Sequence, residues 1–132
     1  MIWIWRWNWY EQVSTKKVAW AAILLDMPYF INAAWTNVTK AGATGIISWV
    51  NMTVRPTQLA ATDVVDFYPE DAEIEFAVDL SAAATPADIG NYFNITAAAN
   101  VVDYATKSAT SGQLLLTTLP KPKKGYFRIV NK

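Results

Sequence analysis

Five carboxylates, Asp63, Asp66, Glu70, Asp71 and Glu73, crowd one short stretch, the densest set of groups able to hold a cation or move a proton. Their spacing lacks the alternating ligands and central glycine of an EF-hand loop, so a solvated acidic loop is the expectation. Elsewhere the means of catalysis are thin. The chain has no histidine and no cysteine, which removes the commonest general base, the thiol nucleophile and the soft metal ligands. Catalysis would rest on carboxylates, lysine, tyrosine or hydroxyls, and no close constellation of these stands out. The expectation is a non-enzymatic protein with no metal and no cofactor.

Two further sets of residues invite a chemical reading. Lys121, Lys123 and Lys124, with tryptophans as stacking platforms, would suit a small β-barrel that binds single-stranded nucleic acid. Net charge is zero, however, and one flank of such a barrel would be strongly acidic. The lysines therefore read as a solvated turn, and nucleic acid is not the expected partner. Three N-x-T triplets, at Asn37, Asn51 and Asn94, fit the glycosylation pattern. The opening residues do not read as a secretory signal, because Arg6 and Asn8 interrupt the apolar run and no cationic segment precedes it. Chance accounts for the triplets.

The strongest pattern is IWIWRWNWY, residues 2 to 10, with Trp3, Trp5, Trp7 and Trp9 at every second position. Side chains two apart share a face only in an extended chain, so this is a β-strand with one apolar face. A buried aromatic hides about 150–250 Å², so four indoles offer roughly 600–1,000 Å². The largest apolar patch of an ordinary monomer is only about 300–600 Å². Covering the indoles gains on the order of 15–25 kcal/mol before entropy is counted. The face either closes this protein's own barrel or lies across another subunit. A terminal strand is easily donated to a neighbouring sheet edge, and one copy's arm can complete the next copy's core. Arg6 and Tyr10 would supply polar contacts on the opposite face or rim. As a membrane-surface element the strand has little electrostatic help, since Arg6 is the only charge in its first ten residues.

Behind these residues stands a single domain. At 132 residues the chain is long enough to bury a core, and without cysteine that core stands on packing alone. The run VAWAAILLDMPYFI at 18–31 is broken by Asp26 and Pro28 and falls short of the roughly 20 apolar residues of a membrane span. Charge is sorted along the chain. Residues 56–106 hold nine acids and no base, and residues 107–132 hold six bases and no acid. Two consequences stay open: neutralisation between strands of one fold, or head-to-tail contact of basic tail and acidic belt between copies.

Short β-type runs separated by turn signals predict an all-β fold, a small β-barrel, β-tulip or sandwich, with at most one short helical turn. VAWAAILL at 18–25 has strand length, though its alanines and leucines also suit a helix. Gly42 and Gly45 precede a run from Ile46 to Val54 that ends at Pro56, and residues 58–69 mix short strands with a turn. In AEIEFAVDL, Ile74, Phe76, Val78 and Leu80 should enter a core while Glu73, Glu75, Ala77 and Asp79 meet water. TPADIG spells one helical turn, capped by Thr85, opened by Pro86 and ended by Gly90. NYFNI, VVDYA, QLLLTTL and GYFRIV follow as strands, the last two around a lysine-rich turn bracketed by Pro120 and Pro122.

The order VVDFYPEDAEIEFAVDL, TPADIGNYFNIT, ATSGQLLLTTL, GYFRIV, preceded by VTKAGATGIISWV, resembles the small capsid decoration, or cement, proteins and head structural proteins of tailed bacteriophages. The resemblance covers about residues 38–130, while the opening strand is richer in tryptophan than that pattern. It implies a β-barrel or β-tulip on the outside of an icosahedral shell, often as trimers, clamping major capsid subunits against DNA pressure. The expectation is a 1–12 N-terminal β-arm on a 13–132 single β-domain. Its site would be Trp3, Trp5, Arg6, Trp7, Trp9 and Tyr10, and its partners the major capsid protein and further copies of itself. It would be located in the virion, on the capsid surface, after assembly in the host cytoplasm, with no membrane partner. A tail or connector protein, and the nucleic-acid module, are the alternatives.

Overall fold

Period-two runs become strands wherever their apolar parity meets a common interior. The last of them shows this most plainly: along Lys124–Ile129, buried Gly125, Phe127 and Ile129 alternate with half-buried Lys124, Tyr126 and Arg128. The computed structural model describes residues 2–6, 15–19, 23–34, 37–51, 54–67 and 74–132. Within them the chain is all β apart from one 3-10 turn, Pro86–Asp88.

The strands, in chain order, are β1 (Trp3–Arg6), β2 (Thr15–Ala19), β3 (Ile23–Leu24), β4 (Phe30–Ala34), β5 (Asn37–Lys40), β6 (Trp49–Val50), β7 (Gln58–Leu59), β8 (Val64–Phe67), β9 (Glu75–Asp79), β10 (Tyr92–Ile95), β11 (Val102–Ser108), β12 (Leu114–Lys121) and β13 (Lys124–Ile129). One six-stranded sheet runs β1-β9-β13-β12-β10-β11, antiparallel throughout. A five-stranded sheet runs β6-β4-β5-β2-β8, with β2 and β5 parallel, and β3 pairs with β7. The two larger sheets meet face to face. The Phe76 ring of β9 stands edge-on to Trp49 of β6, centroids 5.2 Å apart, and to Phe30 of β4 at 6.2 Å. Such T-shaped pairs set the positive edge of one ring against the negative face of the next. The described strands form open sheets packed as a sandwich, not a closed barrel. No helix among the described residues is long and apolar enough to cross a membrane.

The corner at residues 85–90 forms as its residues dictate. The Asp88 carboxylate accepts a hydrogen bond from the Thr85 N–H at 2.9 Å, and Asp88 N–H donates to Thr85 O. Gly90 then turns the chain at φ +93°, a conformation that side chains with a Cβ rarely adopt.

Several local expectations are corrected. The outer parity of β9 does not meet water: Glu75 and Ala77 are as fully buried as Phe76 and Val78. The strand lies inside the sheet between β1 and β13 and is covered on both sides, so only Asp79 reaches the surface. The 18–25 run is not one strand, since β2 and β3 join different sheets. Among the described residues of the 46–54 run, Trp49–Val50 is the strand, with Asn51 in a bridge beyond it. Pro120 lies within β12, where an irregular register opposite β13 tolerates its missing N–H, and the turn is Pro122–Lys123.

Candidate functional site

Of the residues the sequence singles out, Trp3, Trp5 and Arg6 lie in β1, and Trp7, Trp9 and Tyr10 lie outside the described residues. Strand β1 is the edge of the six-stranded sheet, and its partner among the described residues is β9. The register sets Trp3 opposite Ala77, Ile4 opposite Phe76 and Arg6 opposite Glu75, with an irregularity at Trp5. Just before the strand, Ile2 is 0% exposed and belongs to the core. Ile2 therefore helps to fill the interior of the sandwich.

The sorted charges meet within the chain. Lys107 Nζ is 2.8 Å from Asp88 Oδ1, Lys124 Nζ is 3.7 Å from Asp79 and Arg128 Nε is 3.8 Å from Glu75. Each pair joins a base of the last third to an acid of the middle third. This is the neutralisation within one fold that the charge pattern allowed, since β13 and β9 are adjacent strands. Lys16 of β2 likewise stands in register with Asp66 of β8. In the acidic stretch, Asp63 Oδ2 accepts from the Ala60 N–H at 2.8 Å and so shapes a turn.

Asp88 is the centre of the best-organised ionic group. Its carboxylate accepts from Lys107 Nζ, from the Thr85 N–H and from the Tyr104 hydroxyl at 2.9 Å, while it is nearly fully buried. The hydrogen bond from Lys107, then that from Thr85, hold its pKa down to about 2. The same contact raises the Lys107 ammonium above its ordinary value. Because the folded pKa lies below the unfolded one, this group stabilises the protein fully above about pH 4–5 and loses its effect as pH falls through about 2. Its loss is expected to cost on the order of 2 kcal/mol over that window. Asp88→Asn should be less stable at neutral pH and should lose less on acidification than the parent. Urea unfolding at a series of pH values measures the difference.

A second arrangement involves residues that sequence reasoning passed over. Gln113, 4% exposed, donates both Nε2 hydrogens, to Gly42 O at 2.8 Å and to Gly45 O, and accepts from Ile95 N–H at 2.9 Å. Asn131 closes a two-point clamp on Ile47, accepting its N–H at 2.9 Å and donating to its carbonyl at 2.8 Å. It does so at φ +46°, which asparagine tolerates better than most residues. Gly112 has no room for a side chain: a Cβ there would lie 2.8 Å from Tyr92 Cβ and 2.9 Å from Phe93 N. Together these residues fix a polar cleft of about 250 Å³ between the 44–46 loop and residues 111–113, with Asn94, Asn131 and Lys132 completing its walls.

No protein-family model matches this chain, and no curated protein matches it.

Two of the three N-x-T asparagines turn out to be structural. Asn51, nearly fully buried, accepts the Tyr29 N–H, and Asn94 Oδ1 accepts the Gln113 N–H at 3.0 Å. The only signal for the cleft was its polar composition. Gln113 reads as the first residue of an apolar strand, and its partners lie about seventy positions upstream.

Proposed function

We propose that this chain is a non-enzymatic structural protein of a virion, decorating and stabilising a phage capsid by binding its major capsid subunits. The observation that carries the reading is an edge strand with tryptophan at alternate positions, paired to β9 on the side that the described residues cover. An edge strand offers backbone groups to an incoming strand, and indoles are the side chains that anchor interfaces best. Trp3, Trp5, Trp7 and Trp9 are the proposed anchors to the capsid or to a sister subunit, with Arg6 and Tyr10 as polar contacts. The resemblance to cement proteins over residues 38–130 supports the same reading. Internal use of Lys107, Lys124 and Arg128 speaks against the nucleic-acid alternative, since those bases already face carboxylates. A tail or connector protein would use the same surface between different neighbours.

The test is co-sedimentation of the purified protein with shells of the encoding virus. Deleting the arm would also remove the Ile2 plug, so the informative variant changes all four tryptophans to serine and keeps Ile2 and Ile4. A buried aromatic anchor is worth about 2 kcal/mol or more, so the variant should bind at least about a hundred-fold more weakly while staying folded by circular dichroism. Full binding by the folded variant overturns the arm. A parent protein that never joins the particles overturns the virion reading.

A further inference from the structure

We infer that the flank of β9 is a strand-acceptor site whose partner is a second copy of this chain, each copy's β1 seating on its neighbour's β9. This rests on the reading of the arm as the adhesive element and names what it adheres to.

The acceptor is a built slot. Glu75, Phe76, Ala77 and Val78 run along β9 at 0% exposure, a buried carboxylate among them. β13 lies on one side of this strand and β1 on the other. Without β1, a fully buried strand would become a sheet edge, its N–H and C=O groups and apolar side chains turned to water. Ile2, also at 0%, would leave the core with it. The slot must therefore be filled, and the register says by what. Trp3 falls opposite Ala77, Ile4 opposite Phe76, and Arg6 opposite the buried Glu75. Every copy of the chain carries that strand.

The length of the tether decides whose β1 it is. Residues 7–14 join Arg6, in the six-stranded sheet, to Thr15, in the five-stranded one. Face-to-face sheets lie about 10 Å apart, whereas the stretch from Arg6 to Thr15 reaches about 30 Å when extended. That is long enough for β1 to leave its own β9 for the β9 of an adjoining copy. The β1–β9 contacts are the same in either case, so exchange changes only the linkage. A short tether holds its own arm at an effective concentration on the order of mM, so exchange competes once copies stand at that density. Reciprocal exchange closes a dimer, and exchange passed onward around a ring closes a larger oligomer.

The lack of cysteine gives a direct test. Trp3→Cys and Ala77→Cys are made in separate full-length chains, which are mixed, warmed and cooled together, and oxidised with glutathione disulfide. Directly opposed antiparallel residues have the Cα separation that a disulfide needs. Ala77 is fully buried, so only a seated arm reaches it. A peptide joining positions 3 and 77, read by mass spectrometry, then reports the arm of one chain on the β9 of another. That link should form in the mixture at about 1 mM and fall about fifty-fold on dilution to about 10 μM. The parent, which needs no substitution and stays decisive if either variant unfolds, should gain mass by sedimentation over the same range. A link that forms inside a chain carrying both changes, but not in the mixture, would overturn the exchange. A parent that stays a monomer throughout would overturn it too. Neither result touches the capsid reading, which the co-sedimentation with shells decides separately.

Discussion

Phe76→Ala is expected to lower the free energy of unfolding by about 3–5 kcal/mol, a large share of the roughly 5–15 kcal/mol that holds a domain of this size together. Phe76 is fully buried on β9 and is the ring that both Trp49 and Phe30 of the facing sheet abut. Truncation removes the transfer gain of the ring and leaves a hole that Ala77 and Val78, already buried, cannot move to fill. The effect should also reach the arm, since Ile4 sits opposite Phe76 in the β1–β9 register. Phe76→Leu, which keeps most of the volume, should cost far less. Urea unfolding of the two variants, with Ile46→Ala as an exposed control expected to stay within about 0.5 kcal/mol, measures this. A loss under about 1 kcal/mol for Phe76→Ala would contradict the sandwich interface.

What was legible in the sequence was whatever depends on near neighbours. The alternation in GYFRIV and the turn residues of TPADIG each carry their own instructions, and β13 and the Pro86–Asp88 turn follow them. The all-β fold follows from the sum of such runs. Misreadings arose where a distant segment decides. Alternation on β9 implied one wet face, yet Glu75 and Ala77 are buried because the strand sits inside the sheet with cover on both sides. VAWAAILL has strand composition, but nothing local says that its two ends serve different sheets. In the arm, Ile2 lies in the core, a placement that the alternation of tryptophans does not itself announce. The polar cleft was least legible of all. A glutamine before three leucines gives no hint that its amide reaches a loop far upstream, since hydrogen-bond partners, unlike periodicity, are not written in local order.

That amide supplies the second large effect. Gln113→Glu preserves shape but replaces a donor of two hydrogen bonds with a carboxylate oxygen, aimed at the carbonyls of Gly42 and Gly45. Acceptor would face acceptor in a nearly closed site, and the second oxygen alone would keep its bond, from the Ile95 N–H. A buried charge without a partner costs about 3–5 kcal/mol, so the variant should be marginal at neutral pH. The sign of its pH dependence is diagnostic. Burial and the facing carbonyls favour the protonated form, so the introduced carboxyl has a folded pKa above its unfolded value of about 4.3. Between those two values the folded state binds a proton that the unfolded state does not, and stability falls as pH rises. Below about pH 4 both states are protonated, and the acid O–H can again donate to one of the two carbonyls. Gln113→Glu should therefore regain much of its loss on acidification, the reverse of the behaviour that the Asp88 carboxylate contributes to the parent. Gln113→Leu removes the same bonds without adding charge, and should be destabilised by a similar order but with no such recovery. Thermal unfolding of both variants at pH 4 and pH 7 separates a polar clamp from a mere space-filler: equal losses at the two pH values for Gln113→Glu would mean that the amide is not held between those carbonyls.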